Sequence, residues 1–295
     1  MILLELFLFL LSIVFLSVSI AGYGSFLSKK IQSNFFLDIF LGFIIISLII
    51  TIYHFFFKVN VIISLLIFIF GLIFFFKKKN FLSIFTVVKK SSILNLIIII
   101  LLIPLFISQK YHEDFGYYHL PYIINLINEK IIFGLANINR AFVHNSLWLN
   151  VLPVFYLKDN YNFVTLPTFL VYVVFIIFSI NQITKSKDQK ISDFFLIVTI
   201  FYLILKFTRI TEFGNDIPAI IFSSLAIYNF FRFLEEEDKE KKNNYFFNNL
   251  SFAVFAILIK FSSVPIILLS IYLFLKNYKI LINNIFKINF ILIYF

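Results

Sequence analysis

Six side chains in this 295-residue sequence are of the types that move protons or hold anions at a membrane surface: Glu113, Asp114, His119, Arg140, Asp216 and Lys260. The first four fall in one polar island, residues 109–150, which reads QKYHEDFGYYHLPYIINLINEKIIFGLANINRAFVHNSLWLN. That island holds three of the four histidines (His112, His119, His144), the single tryptophan (Trp148) and the adjacent acids Glu113 and Asp114. Asp216 stands in NDIPA with Glu212 and Arg209 shortly before it, and Lys260 interrupts an apolar stretch in AILIKFSS. A chain that is greasy elsewhere and gathers its ionisable groups in one segment has its chemistry there.

Composition sets the class of protein that must position these groups. The chain is 61% hydrophobic and 14% charged, with mean hydropathy +1.00. Soluble domains carry about a quarter charged residues, so this sequence cannot cover a globular surface with polar groups. Apolar runs of the length that crosses a bilayer, about twenty residues, recur along the chain. They are continuous rather than alternating, which selects helices over barrel strands. The expected fold is therefore all-α: a polytopic transmembrane helix bundle of about ten spans, with a long outer loop forming interfacial helices. The spans are expected near 3–26, 35–57, 60–76, 92–108, 161–181, 191–208, 216–234, 246–259, 263–276 and 280–295. The first run has neither a charged leader nor a small-residue cleavage site and reads as a retained span. Absent cysteine excludes disulfides and thiol chemistry. The net charge of +10 is mostly lysine scattered at span ends, which speaks against a nucleic-acid partner.

Lysine placement orients the bundle. Lys29 and Lys30, Lys77–Lys79 with Lys89 and Lys90, Lys185, Lys187 and Lys190, Lys239, Lys241 and Lys242, and Lys276 and Lys279 mark cytoplasmic loops. The acidic run Glu235–Glu240 reads as one such solvated loop. Counting spans places the island, the Phe207–Asn215 loop and the Lys260–Ser263 break on the opposite, outer face. Within the island, apolar residues at 120, 123, 124, 127 and 131 line one face of a helix that would lie in the interface, with Pro121 in its first turn and Gly134 as its stop. A second short segment, 146–157, carries Trp148 and Tyr156, residues at home among headgroups.

Each candidate has a plain structural reading as well. A lone loop histidine is ordinarily a hydrogen-bonding residue, and Tyr117 and Tyr118 read as interface anchors. Helix capping accounts for Asp216 as well as chemistry does. Lys260 either snorkels from a span end or is an intramembrane charge kept for function. Asp114 stands above these because it lies where the chain leaves the membrane, with Lys110, Arg140, Arg209 and Lys260 available on the same face.

Glu113–Asp114 in YHEDFGYYHLP, the GLANINR segment (Gly134–Arg140), Ser146–Leu147–Trp148, Asp216 in NDIPA and Lys260 in AILIKFSS together resemble the GT-C superfamily of membrane glycosyltransferases. The dolichyl-phosphate-mannose mannosyltransferase and aminoarabinose transferase branches are nearest in pattern, and the chain is also similar to bacterial multi-span membrane proteins with D-x-x-x-YHLP and GLAN elements. The resemblance covers about residues 92–276. It implies an inverting transferase whose donor is a polyprenyl-phosphate-linked sugar and whose acceptor is a hydroxyl of a glycan, lipid or protein. It implies Asp114 as the catalytic base, with Glu113 the alternative carboxylate, since family members use one acid or a pair there. Arg140 and Lys260 would hold the leaving phosphate, Asp216 the sugar or acceptor, and His119 would assist in substrate binding. No cofactor is required, although a divalent cation between Asp114 and Asp216 is chemically allowed because hard cations take oxygen ligands.

On this reading, residues 1–91 form N-terminal transmembrane hairpins and 92–295 the GT-C-like core, with outer loop 109–160. The chain ends on NFILIYF inside an apolar run, so a truncated C-terminus is expected. The site is expected at the outer face of a bacterial cytoplasmic membrane. Three other classes compete: a surface polysaccharide polymerase or ligase, whose outer loops would be richer in arginine; a transporter or flippase, which would show inverted repeats and broken helices at mid-membrane; and a non-catalytic assembly subunit.

Overall fold

The computed structural model describes residues 2–27, 34–77, 95, 97–104, 113–138, 140–143, 146–156, 164–186, 188, 190–211 and 213–278. The ordered elements are α1 (Ile2–Leu27), α2 (Phe35–Phe56), α3 (Val61–Lys77), α4 (97–104), α5 (Leu120–Asn128), α6 (Leu135–Ile138), α7 (Leu147–Val151), α8 (Leu166–Lys185), α9 (Ile191–Leu205), α10 (Asp216–Glu235), α11 (Lys239–Ile259) and α12 (Phe261–Tyr278). Short 3-10 turns extend or precede several of them, and no strand occurs among the described residues.

The all-helical expectation holds among the described residues, whereas about ten spans are not supported there. Among the described residues, four helices meet the length and apolarity needed to cross a membrane: α2, α8, α10 and α12. α3 and α9 are shorter, at 17 and 15 residues, whereas α1 runs for 26 mostly apolar residues. Continuous apolar sequence overstates span length because turns and caps consume its ends. The run read as 191–208 becomes a 15-residue helix, followed by a 3-10 turn at Phe207–Thr211. The expected span 280–295 lies outside the described residues, as do parts of the 92–108 run.

Burial shows which helices are central. Every residue of α8 from Leu166 to Ser179 is buried, and a helix buried all round lies inside a bundle. α2 and α10 bury one broad face each against it. The Phe40 ring packs edge-on against Phe178 of α8, Phe222 of α10 and Phe252 of α11. The peripheral helices α3 and α9 instead expose large side chains such as Ile62, Leu65, Phe194 and Phe201, more apolar surface than a protein wetted on all sides shows. α1 lies close against α2 and α3. Added side-chain carbons at Gly22 and Gly42 would clash with the Gly71 and Ile20 carbonyl oxygens, so these helices touch through their backbones. Ser19 and Tyr23 donate across this contact to the Phe68 and Ile67 carbonyls, both at 2.8 Å.

The second island segment departs from its expected place. Ser146 caps α7 by accepting from the Trp148 N–H, and the chain runs on through a 3-10 turn, Leu152–Phe155. Trp148, Leu149, Val151, Leu152, Val154 and Phe155 are all buried. Trp148 is no headgroup anchor: its ring packs between Phe43 and Phe222 and its Nε1–H donates to Thr168 Oγ1 at 3.1 Å. A segment too short to span is tolerated at such depth only when protein surrounds it, and α2, α3, α5 and α11 do so.

Loops gather at two ends. At one, Glu235 accepts from the Ser192 N–H and hydroxyl at 2.9 and 2.7 Å, so the start of the acidic run is a half-buried clasp between α9 and α10 rather than a free loop. At the other end meet residues 54–60, 113–131, 207–211, 213–216 and 260.

Candidate functional site

Residues 113–114 are helical and lead into a π-helical turn, Phe115–His119, in which the Leu120 N–H reaches back to the Phe115 carbonyl. Such a turn inserts one residue into a helix, re-aims the side chains before it, and recurs at functional sites. It leads directly into α5, whose buried face (Tyr122, Ile123, Leu126, Ile127) turns toward the bundle. α5 stops at Asn128 rather than at Gly134, which instead takes φ 85 in the turn before α6. Tyr122 packs its ring 5.7 Å from that of Phe142, and burial pushes its phenol pKa above the ordinary value.

His119 is buried, with its ring 4.3 Å from that of Tyr118. Opposite lies Gly214, where a side-chain carbon would approach His119 Cε1 to 3.1 Å; the glycine makes room for the imidazole. Beside it, Phe115 and Phe213 place their rings 5.2 Å apart. Phe213 adopts φ 55, a conformation that costs a bulky residue about 1–3 kcal/mol and persists only where packing imposes it. The 113–119 segment is thereby clamped onto residues 213–214.

Two ion pairs flank this clamp. Arg209 Nη1 lies 3.9 Å from Asp114 Oδ2, the side chains being 25% and 40% exposed. Lys260 Nζ pairs with Asp216 Oδ1, at 41% and 40% exposure. All four groups are thus partly desolvated yet open to a ligand. Local structure explains the second pair. α11 ends as Lys260 turns to extended backbone (φ −149, ψ 118), which frees the lysine from the helix surface. Asp216 is the first residue of α10, where the helix dipole favours a carboxylate. Asp216 is not the cap: Asn215 holds that position and sends its amide to the Ile259 carbonyl at 3.1 Å, tying the start of α10 to the end of α11. Asp216 follows Gly214 by two residues, about 7 Å of chain at most, so both ion pairs and His119 share one corner.

Of the residues singled out by sequence, Asp114, His119, Asp216 and Lys260 meet there. Arg140 does not: it is exposed at the start of the 3-10 turn Arg140–Val143 and, among the described residues, pairs with neither aspartate. Arg209 stands in its place. Glu113 is exposed, while Asp114 turns toward Arg209. Lys110, His112, His144 and Glu212 lie outside the described residues. Among the described residues no three His, Cys, Asp or Glu side chains group as a metal site, and Asp114 and Asp216 each face a cation.

Sequence reasoning overlooked His54. It is fully buried near the end of α2, and its Nε2–H donates to the Glu129 carbonyl at 3.0 Å. The Ile131 N–H donates to the His54 carbonyl, also at 3.0 Å. The two bonds anchor the far end of the helix that carries Asp114 and His119. The available signal was a histidine in an apolar run, since ionisable residues in such runs default to functional suspects.

Lys260→Met separates chemistry from scaffolding. An exposed ion pair contributes about 0–1 kcal/mol, so the melting temperature is expected to stay nearly constant. Where the corner takes a phosphate, its binding is expected to fall by tenfold or more, a loss of about 1.4 kcal/mol, as read by phosphate-ligand titration beside a melting curve.

The chain matches, over residues 1–295, the model of a family described as domain of unknown function DUF8201. It belongs to that family. No curated protein matches it, and no solved structure does.

Proposed function

We propose that this member of the family is an integral membrane glycosyltransferase that moves a sugar from a polyprenyl-phosphate donor to a hydroxyl of a cell-surface glycan, lipid or protein. The reaction runs at the outer face of the cytoplasmic membrane of a bacterium. The observation that carries the reading is the corner where the Asp114–Arg209 and Asp216–Lys260 pairs meet beside His119, at the end of a bundle in which four helices among the described residues are long and apolar enough to cross a bilayer. A GT-C-like architecture belongs to the same reading.

Asp114 accepts the proton of the acceptor hydroxyl as general base. The hydroxyl oxygen bonds to the anomeric carbon from the face opposite the phosphate, the carbon–oxygen bond to the phosphate breaks, and its electrons leave with the polyprenyl phosphate. Inversion follows. Arg209 and Lys260 stabilise the charge developing on that phosphate. Asp216 orients the sugar or the acceptor, and His119 backs the Asp114 segment or donates to substrate. A phosphate monoester is a good leaving group, so the step needs neither a separate acid nor a cofactor. Lipid holds the donor's chain and membrane lipid surrounds the protein.

The reading requires the corner to face outward. Asn137 is exposed on α6, and the sequence has no cysteine, so Asn137→Cys offers one labelling site. Reaction with a membrane-impermeant maleimide in intact cells is expected. Labelling only after permeabilisation puts the corner on the cytoplasmic side and overturns the proposal.

A further inference from the structure

A second site lies at the same end of the bundle. The turn between α2 and α3, the end of α5 and the 3-10 turn after α7 enclose an open cavity of about 200 Å³. Its wall includes Lys58, Asn60, Val61, Asn128, Pro153 and Tyr156. Lys58 forms no hydrogen bond or ion pair with any described residue and is exposed. Asn60 Oδ1 caps α3 by accepting from the Ile63 N–H at 3.0 Å, which keeps the first turn of α3 facing the cavity.

What lies below the cavity tells what enters it. From Val61, one side of α3 continues through Leu65, Ile69, Ile73 and Phe76, four or three residues apart and all exposed. Residues so spaced form one stripe along a helix. The stripe begins in the cavity wall and extends about 22 Å at 1.5 Å per residue, roughly the reach of one acyl chain across a leaflet some 15 Å deep with room to tilt. A cation with polar neighbours above an apolar stripe has the layout of an amphiphile with an anionic head. Asp114 is about 20 Å away along the helical path 114–128, so this is not the corner described above.

We propose that the cavity seats the phosphate headgroup of an anionic phospholipid, with Lys58 on the phosphate, Asn128 and Tyr156 on the remaining headgroup oxygens, and one acyl chain along the α3 stripe. The bound lipid fills the junction of α3, α5 and the buried 146–156 segment and holds the α5 end against α2. The inference rests on the cavity and the stripe and does not depend on sugar transfer.

The full chain, purified with phosphatidylglycerol and phosphatidylcholine in equal amounts and released for native mass spectrometry, is expected to retain one phosphatidylglycerol in preference. Lys58→Gln, a change at an exposed position, is expected to lower that preference about fivefold, the factor carried by one basic side chain at an anionic surface. Val61→Trp, which fills the cavity, is expected to lose the bound lipid of either kind. Equal retention of phosphatidylglycerol by wild type and Lys58→Gln overturns the proposal. So does stabilisation by inorganic phosphate as large as that by phosphatidylglycerol, which would make the site one for a free ion.

Discussion

Asp114→Asn is expected to slow sugar transfer by about 10²- to 10⁴-fold, the range over which a positioned general base accelerates proton transfer. Asparagine keeps the shape of the side chain and one acceptor oxygen but cannot take up the acceptor's proton. The fold should tolerate the change. The Asp114 side chain is 40% exposed and its pairing with Arg209 is a 3.9 Å contact at the bundle end, of a kind contributing about 0–1 kcal/mol. The 113–119 segment is held instead by Phe115 on Phe213 and by His119 on Gly214. Transfer from a polyprenyl-linked sugar should therefore collapse while membrane insertion and the melting curve stay as in the wild type. Transfer at the wild-type rate removes Asp114 from the chemistry. Glu113→Gln, at an exposed position, is the matched control and is expected to keep most activity.

The largest effect on stability is expected at Trp148. Its ring is wholly buried between Phe43 and Phe222, and its indole N–H is satisfied by Thr168. Trp148→Ala leaves a cavity where α2, α7, α8 and α10 converge and strands the Thr168 hydroxyl. Truncating a buried tryptophan costs about 3–5 kcal/mol, read as a lowered unfolding midpoint in a mild detergent. Trp148→Phe refills most of the volume and is expected to recover most of that loss, short of the hydrogen bond. A variant with Ala at 148 that melts like the wild type would mean that the 146–156 segment lies at the surface after all.

Trp148 also shows where sequence reading reaches its limit. A tryptophan near the edge of an apolar run has two homes, the headgroup layer and a protein interior, and local sequence does not distinguish them; the partners Phe43, Thr168 and Phe222 are far away in the chain. α2 was legible almost to the residue, 35–57 against Phe35–Phe56, because its apolar run is bounded by polar residues at both ends. α11 was legible only from residue 246 on. Its start, Lys239–Asn244, is polar, so no apolar pattern marks it, yet Asp238 caps it through the Glu240 and Lys241 N–H groups. Asn249, further along, is buried because Ser270 and the Ala226 carbonyl satisfy it at 2.6 and 2.8 Å. At the candidate site the residue types were readable, since acids and bases are conspicuous in a greasy chain. Their pairing was not. Arg140 and Arg209 are equivalent in composition, and only the clamp of Phe115 and His119 on residues 213–214 brings Arg209 to Asp114.

On the proposed function, the corner of the Arg209–Asp114 and Lys260–Asp216 pairs receives the phosphate of a polyprenyl-linked sugar. A photoreactive polyprenyl phosphate tests it without knowledge of the sugar, because the lipid phosphate is common to all such donors. With the full chain in nanodiscs, crosslinks are expected to map to residues 207–216 or 256–263 and to fade in the Arg209→Ala, Lys260→Met double variant. Crosslinks confined to the opposite end of the bundle, around Ser192 and Glu235, or undiminished in the double variant, would contradict it.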